Sequence, residues 1–218
     1  VLASDSGIPQ EYRDHATSLG LETAITVAFP TMALADDAQG GESRLVSLKA
    51  VEAAYPLRGD VQTVNQWSPQ TSTTELTQAG AATPGGPARG EVWADAALLA
   101  SLEVALGDTL HFGDAPLKVT RVITLEADRG TGFMSFSPRV LMNLADLDST
   151  ALVQPASRLN WRLLVAGPEA AVNQFTNWAE MQLNAGHVRG MRLMTLESGN
   201  PQMQRTIDRA ESFLRLVA

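Results

Sequence analysis

The chain of 218 residues lacks cysteine entirely, which excludes disulfides, thiolate nucleophiles and cysteine-based zinc sites. It has only three histidines, and no two of them have the spacing of a zinc-binding motif. No stretch approaches the roughly 20 consecutive apolar residues that a membrane-spanning helix needs. Several common kinds of catalytic and metal site are therefore ruled out before any fold is considered.

Positive charge is also scarce. Lysine and arginine number 16 against 24 acidic residues, which gives a net charge of −8. A surface of this sign repels nucleic-acid phosphates and anionic lipid headgroups, and the basic stripe of a nucleic-acid-binding protein is missing. We therefore expect no nucleic-acid partner. At 44% hydrophobic and 18% charged residues, the composition is that of a folded globular protein.

Motifs for phosphate and metal binding are incomplete. The glycine-rich stretches 85–87 and 130–132 do not continue as a P-loop or as a dinucleotide-binding loop. The acidic pairs Asp36-Asp37 and Asp146/Asp148 lack the spacing and the closing glutamate of a calcium-binding EF-hand loop. We expect no cofactor and no metal.

Hydrophobic periodicity at the two ends of the chain predicts an α+β fold. Apolar residues alternate with polar ones over 21–29, 46–50 and 159–165, which is typical of strands. Helices are predicted over 9–19 and from 169 to Gly186. With short strands at 1–4 and 188–196, the order is βαββ…βαβ, a split ferredoxin-like arrangement into which a middle section is inserted.

The inserted section, 55–157, is predicted to be a β-rich subdomain. Residues 65–88 are rich in Ser, Thr, Gln, Gly and Pro and are read as a long exposed loop. Asp95 is a candidate N-cap for a short helix, and 109–112 with 117–125 form a hairpin. Arg121 interrupts the apolar face of the second hairpin strand, so we expect its burial to be partial. Residues 1–54 with 158–199 then form a discontinuous subdomain.

The last stretch, 200–218, is predicted to be a helix with Asn200 as N-cap and Pro201 at its first position. It ends on apolar residues without a glycine cap. We therefore expect the chain to be a fragment cut from a longer protein, with this helix packing on something outside it. Its apolar stripe comprises Met203, Ile207, Ala210, Leu214 and Val217.

Candidates for nucleophilic catalysis are few, because no G-x-S-x-G motif occurs. A hydrolase would have to bring Ser135 or Ser137 together with His111 or His187. A structural role is the better interpretation of these residues and of His15, since none of them belongs to a recognisable catalytic motif.

One loop is a candidate contact for a partner or an apolar ligand. Residues 128–136 combine Arg129 with Phe133, Met134 and Phe136 near a glycine-rich turn. The alternative, which we favour, is that these side chains cover the gap between the two subdomains.

Several short motifs resemble those of FtsX-like, MacB-type ABC transporter permeases. They are Tyr55-Pro56-Leu57-Arg58-Gly59, Arg89-Gly90-Glu91-Val92-Trp93, Gly107-Asp108-Thr109-Leu110 and residues 138–143. Tyr55, Pro56, Arg58, Gly59, Gly90, Trp93, Gly107 and Asp108 are their structural residues. The resemblance covers nearly the whole chain but provides no motif for residues 65–88.

The resemblance implies a porter-type subdomain on the periplasmic face of the bacterial inner membrane, between two membrane spans of a permease. A separate cytoplasmic subunit would hydrolyse ATP, and this domain would transmit the resulting motion without catalysing a reaction. It would handle lipids, hydrophobic compounds or a periplasmic protein such as a secreted esterase or thioesterase. Two alternatives remain open, a secreted hydrolase or lipid-modifying enzyme and a stand-alone periplasmic binding or adaptor domain.

Overall fold

The computed structural model describes residues 1–129, 137–154, 157, 159–186 and 190–195, and within them eleven strands and four α-helices. The strands are β1 (Leu2–Ser4), β2 (Glu22–Ala35), β3 (Ser43–Val51), β4 (Val61–Val64), β5 (Ala81–Thr83), β6 (Glu91–Asp95), β7 (Thr109–Phe112), β8 (Ala115–Glu126), β9 (Arg139–Asn143), β10 (Asn160–Ala166) and β11 (Arg192–Leu193). The helices are α1 (Gln10–Ser18), α2 (Thr73–Ala79), α3 (Ala96–Ser101) and α4 (Glu169–Asn184).

All these strands belong to one sheet, in the order β11-β1-β10-β2-β3-β9-β6-β8-β4-β5, with β7 pairing with both β2 and β8. The predicted order of elements at the two ends is confirmed: the first part of the chain contains β1, α1, β2 and β3, and the last described part contains β10, α4 and β11. Strand β1 lies antiparallel between β10 and β11. The α+β class and its split ferredoxin-like frame are therefore those expected from the sequence.

The predicted hairpins form as expected. Strands β2 and β3 pair antiparallel over nine residue pairs, and β7 pairs with β8 around the Gly113-Asp114 turn. Strand β2 is longer than the predicted 21–29, because its outer half continues to Ala35, where it also pairs with β7.

The prediction that 65–88 is a long loop is wrong, although most of its described residues are exposed, as expected. This stretch contains α2 and β5. A capping box starts the helix: the Ser72 hydroxyl accepts from Glu75 N at 3.2 Å, and the Glu75 carboxylate accepts from Ser72 N at 2.8 Å. The Ser-x-x-Glu pattern of Ser72 and Glu75 indicates a helix start in the sequence, but the prediction relied on the polar composition of the stretch instead.

The predicted cap at Asp95 is half right. Asp95 is the residue before α3, but its side chain makes no capping hydrogen bond. Its carboxylate instead accepts from Arg139 N at 2.8 Å and pairs with Arg129. The Asp95 carboxylate therefore pairs with Arg129, which is distant in sequence, and does not cap the helix as the sequence suggested.

The two faces of the sheet bury different kinds of side chain. Helices α1, α3 and α4 pack on one face, where alternate strand residues such as Val27, Leu48 and Met142 form an apolar core. The opposite face carries a smaller apolar cluster around Val51, Tyr55 and Trp93, beside buried charged groups. We call these the helix-covered face and the polar face.

Backbone hydrogen bonding crosses the boundary between the two subdomains predicted from the sequence. Strand β3 pairs in parallel with β9, from Ser47 opposite Arg139 to Val51 opposite Asn143. The division into 1–54 with 158–199 and 55–157 stays a prediction. The predicted helix 200–218 lies outside the described residues. Of the predicted strand 188–196, residues 190–195 are described, and they contain the short strand β11.

Candidate functional site

A cluster of charged side chains lies buried at the centre of the polar face. Lys49 Nζ from β3 lies 2.9 Å from Glu126 Oε1 at the end of β8, and the two side chains are 3% and 0% exposed. The Tyr55 hydroxyl accepts from Lys49 Nζ at 2.7 Å and donates to Glu126 Oε1 at 2.9 Å. The three side chains therefore join β3, β8 and the segment that follows β3.

Arg139 extends this cluster to β9. Its Nε donates to Glu126 Oε2 at 2.8 Å, and its two terminal nitrogens donate to Ser47 Oγ at 2.5 Å and to Arg129 O at 2.7 Å. Lys49 Nζ also lies 3.0 Å from Asp128 Oδ2. We refer to Lys49, Tyr55, Glu126, Asp128 and Arg139 as the ion cluster.

The charges of the ion cluster balance, with two cations against two carboxylates. Burial raises the pKa of the Tyr55 phenol far above its usual range, and the nearby carboxylates of Glu126 and Asp128 add to this, so the phenol stays neutral. Because Lys49, Glu126 and Arg139 are almost completely buried and are satisfied by one another, they bind the strands together rather than an external ligand.

The ion cluster also holds both ends of the candidate contact loop. Asp128 and Arg129 lie at its start and Arg139 follows its end. Arg129 donates to the Asp95 carboxylate with both terminal nitrogens, at 2.6 and 3.3 Å. Phe133, Met134 and Phe136 lie outside the described residues.

Tyr55, Pro56, Arg58 and Gly59, the first motif group, lie in the segment between β3 and β4. Tyr55 belongs to the ion cluster and is joined to Pro56 by a cis peptide bond. Arg58 forms an exposed ion pair with Glu22 at 3.2 Å. Gly59 has a φ of +72°, and a Cβ there would lie 2.8 Å from Ala127 Cβ, so only glycine fits.

The remaining motif residues shape turns and the sheet interior. Gly90 N donates to Asp146 Oδ2 at 2.7 Å, and Trp93 is buried on the polar face of β6. Gly107, with a φ of +99°, donates to Val119 O at 2.7 Å, and Asp108 accepts from Ala105 N at 2.9 Å. These four residues fix local geometry around β6, β7 and β8.

The histidines that the structure describes are held in structural contacts. His15 stacks on Trp178 with ring centroids 4.0 Å apart. His111 Nε2 lies 3.9 Å from the exposed Asp36 carboxylate. Ser135 and His187, which the hydrolase alternative would use, lie outside the described residues. Within the described part of the chain, no three His, Asp or Glu side chains are grouped so that they could hold a metal ion.

An apolar patch is exposed on the outer half of the β2–β3 hairpin. Met32, Leu34 and Leu45 are between 42% and 49% exposed. Met32 lies opposite Leu45 in the pairing register, and Leu34 is two residues further along β2, so all three side chains lie on the polar face. We call these three residues the hairpin patch. The predicted strands 21–29 and 46–50 did not include these three residues, so sequence reasoning missed the patch.

Sequence reasoning also missed the ion cluster. A lysine or glutamate in an alternating strand reads as a solvent-facing residue, and only the pairing of β3 with β9 brings Lys49 near Arg139. The one available signal was the density of charges just before and after the 130–136 stretch.

No helix among the described residues combines the length and the apolar sequence that crossing a bilayer requires. No protein-family profile matches the chain.

The comparison with curated proteins gives a relative along the whole chain. The chain is 32% identical over 219 aligned residues to the uncharacterized ABC transporter permease YbbP of Escherichia coli K12. The match covers 100% of the chain but 24% of YbbP, so the chain spans about a quarter of that relative.

Two solved structures share the fold. The periplasmic region of MacB from Actinobacillus actinomycetemcomitans aligns with a TM-score of 0.50 at 12% identity, over 95% of this chain and 92% of that one. The extracellular domain of the noncanonical ABC-type transporter YknZ from Gram-positive bacteria aligns with a TM-score of 0.51 at 10% identity, over 89% of this chain and 99% of that one. In sequence the chain is thus similar to part of the ABC transporter permease YbbP, and in fold it is similar to the periplasmic region of MacB and the extracellular domain of YknZ.

Proposed function

We propose that the chain transmits motion. In this proposal an ATP-driven conformational change in the membrane moves the periplasmic domain, which breaks no bonds itself. The similarity to YbbP along the whole chain supports its place in a permease. ATP would be hydrolysed by a separate cytoplasmic subunit, and the domain would lie on the periplasmic face of the inner membrane.

The observation that carries the proposal is the ion cluster within a continuous sheet. Lys49 belongs to the predicted porter-type subdomain, whereas Glu126 and Arg139 belong to the predicted inserted subdomain. Their charge-assisted hydrogen bonds, together with the parallel pairing of β3 and β9, join the two parts without a flexible linker. A displacement applied to one part would therefore move the other with it.

The hairpin patch supports a role in handling apolar molecules. Exposed apolar side chains grouped on one strand pair are typical of surfaces that meet a ligand or a partner. In this proposal the patch contacts a cargo that is a lipid or a hydrophobic compound. In the alternative, it contacts and controls a periplasmic protein such as a secreted esterase or thioesterase. Arg129, Phe133, Met134 and Phe136 remain a second proposed contact.

The patch can be tested in the full-length permease assembled with its ATPase in proteoliposomes. We expect the triple variant Met32→Ser, Leu34→Ser and Leu45→Ser to keep ATP hydrolysis within about twofold of the parent. Transport of a fluorescent lipid analogue or apolar dye should fall at least fivefold, because apolar contact area is removed. The matched control is Met181→Ser, which replaces an exposed methionine on α4. Equal transport by the triple variant and the control would show that the patch does not contact the cargo.

The transmission role has its own test in the predicted helix 200–218. A Gly-Gly insertion next to Thr206 should leave ATP hydrolysis intact and abolish transport, because two glycines make a helix flexible. An Ala-Ala insertion at the same point adds the same length but keeps the helix stiff, so it should retain more transport. If the two insertions transport equally well, the domain does not act as a lever.

A further inference from the structure

A cleft of about 720 Å³ lies beside the excursion formed by β4, α2 and β5. Its walls come mainly from residues 63–84, most of which belong to the stretch 65–88 for which the family resemblance provides no motif. The lining includes Thr63, Trp67, Ser68, Thr71, Thr83 and Arg121. None of the described lining residues is acidic, although the chain carries 24 acidic residues. Among these described residues, the one charged group in the wall is the guanidinium of Arg121.

Arg121 differs from the other described arginines. Seven of the nine pair with a carboxylate: Arg13, Arg44, Arg58, Arg89, Arg129, Arg139 and Arg162. Of the remaining two, Arg192 is exposed on β11, whereas Arg121 is half-buried. In the part of the chain that the structure describes, Arg121 is thus the one half-buried arginine without an anionic partner.

The described residues around Arg121 hold it in place but occupy few of its hydrogen-bond donors. One terminal nitrogen makes a long hydrogen bond of 3.5 Å to Thr63 Oγ1, and the guanidinium carbon lies 5.9 Å from the Trp93 ring centroid. Thr63 Oγ1 is in turn 2.7 Å from Thr83 Oγ1, which also donates to Ala81 O at 3.2 Å. Since a guanidinium has about five N–H donors in a planar fork, a ligand could still take several of them.

We propose that this cleft binds a small polar ligand that carries a phosphate or carboxylate group. The planar fork of Arg121 matches the oxygens of either group, and the Ser, Thr and amide side chains of the wall can hydrogen-bond the hydroxyls of the rest of the molecule. The volume lies within the range of about 300–1,000 Å³ that is usual for small-molecule sites. The inference goes beyond the proposed transmission role and does not depend on it.

The overall charge of −8 does not argue against an anionic ligand at this place. A ligand inside the cleft is within a few ångströms of Arg121, whereas exposed carboxylates elsewhere are screened over about 8–10 Å at physiological salt. The same screening predicts that binding weakens as salt is added, because the cleft is open to solvent.

Binding can be measured on the whole chain by NMR titration with glucose 6-phosphate, glucuronate and uncharged glucose. We expect the two anions, but not glucose, to shift the signals of Arg121 and Thr83. Arg121→Ala should weaken binding at least tenfold. Arg121→Lys should weaken binding less than Arg121→Ala, because lysine keeps the positive charge but lacks the planar fork of donors. Vesicles of phosphatidylglycerol, compared with phosphatidylcholine, test whether a lipid headgroup is the source of the phosphate.

Lys118→Ala is the matched control, since Lys118 is an exposed cation on the same strand and has no carboxylate partner among the described residues. It should change the affinity less than twofold. If Arg121→Ala does not fold, Gln66→Trp tests the site independently, because Gln66 is an exposed lining residue and a larger side chain there would fill the cleft. The proposal is overturned if glucose 6-phosphate and glucuronate, each at about 10 mM, both leave the cleft signals unchanged. It is also overturned if Arg121→Ala and Lys118→Ala bind the anions with the same affinity.

Discussion

The helix-covered face and the polar face of the sheet are built from the same strands by opposite means. On β3, Val46, Leu48 and Ala50 lie in an apolar core, whereas Ser47 and Lys49, which alternate with them, are equally buried among charges. Apolar burial tolerates small shifts, because the hydrophobic effect has no preferred direction. A buried ion cluster requires every partner at its distance. The polar face is therefore where register and position are specified most strictly.

The largest effect is expected from Glu126→Gln, which breaks the polar face. The substitution leaves Lys49 and Arg139 buried without the carboxylate that both of them contact. We expect a loss of about 3–5 kcal/mol in the free energy of unfolding, measured by urea denaturation. The control is Glu22→Gln in the exposed pair with Arg58, where both side chains are about two thirds exposed and the loss should be at most about 1 kcal/mol. Similar losses in the two variants would mean that the ion cluster is no more important than a surface pair.

The helix-covered face is tested by Leu48→Ala. Leu48 is completely buried, so the substitution leaves a cavity and should cost about 2–5 kcal/mol in the same assay. Leu45→Ala, on the same strand but exposed, should change stability by no more than about 0.5 kcal/mol. A large loss at Leu45 would contradict its assignment to an exposed patch.

Tyr55→Phe sharpens the comparison by removing one hydroxyl. The phenol accepts from Lys49 and donates to Glu126, so its loss should cost about 1–3 kcal/mol near neutral pH. Tyr12→Phe is the control, because the buried Tyr12 hydroxyl has no hydrogen-bond partner among the described residues and its removal should cost little. Equal costs would count against the hydroxyl's role in the ion cluster.

The same variant predicts a pH dependence. The pKa of Tyr55 is raised in the folded protein, mainly by burial, above its ordinary value of 10.0. The stability that this contributes is complete below pH 10 and is lost as the pH rises further, since the unfolded chain then releases the proton first. Between pH 10 and 11.5, Tyr55→Phe should lose less stability than the parent chain. Parallel stability curves would contradict this linkage.

The smallest effect is expected at α2, away from both faces' centres. Ser72→Ala removes half of the capping box and should destabilise the helix by about 0.5–2 kcal/mol, seen as faster amide exchange in α2. Two hydrogen bonds from Ser72 lower the pKa of Glu75. The larger contribution comes from the backbone N–H of Ser72 and the smaller one from its hydroxyl. The stability gained is present above the ordinary glutamate pKa and is lost as the pH falls through the lowered value. Thr74→Ala, an exposed change in the same helix, should not speed exchange.

Much of the helix-covered face was predictable from the sequence, because a buried face leaves a regular period. The stripe of α4, with Phe175 and Ala179 buried, follows directly from apolar spacing. The α2 capping box was also legible, but the polar composition of 65–88 outweighed it. Local signals of this kind are sufficient for elements whose partners are neighbours in the sequence.

The polar face could not be predicted in the same way. Lys49 and Glu126 are 77 residues apart, and the order β3-β9-β6-β8 that brings them together depends on a parallel pairing with no local signature. The sequence around Asp95 is typical of a helix N-cap, and only the fold shows that its carboxylate contacts Arg129 and Arg139. The candidate cleft likewise needed the three-dimensional arrangement, because only the missing carboxylate beside Arg121 distinguishes it.

The position of β1 between β10 and β11 affects how the sheet folds. Strand β1 pairs with no strand close to it in sequence, because its two hydrogen-bonding neighbours lie at residues 160–166 and 192–193. Such distant pairings are slow to form, so we expect the edge of the sheet that contains β1 to close after hairpins such as β2–β3. Leu2, which is completely buried in the folded domain, would stay exposed to solvent until that edge closes.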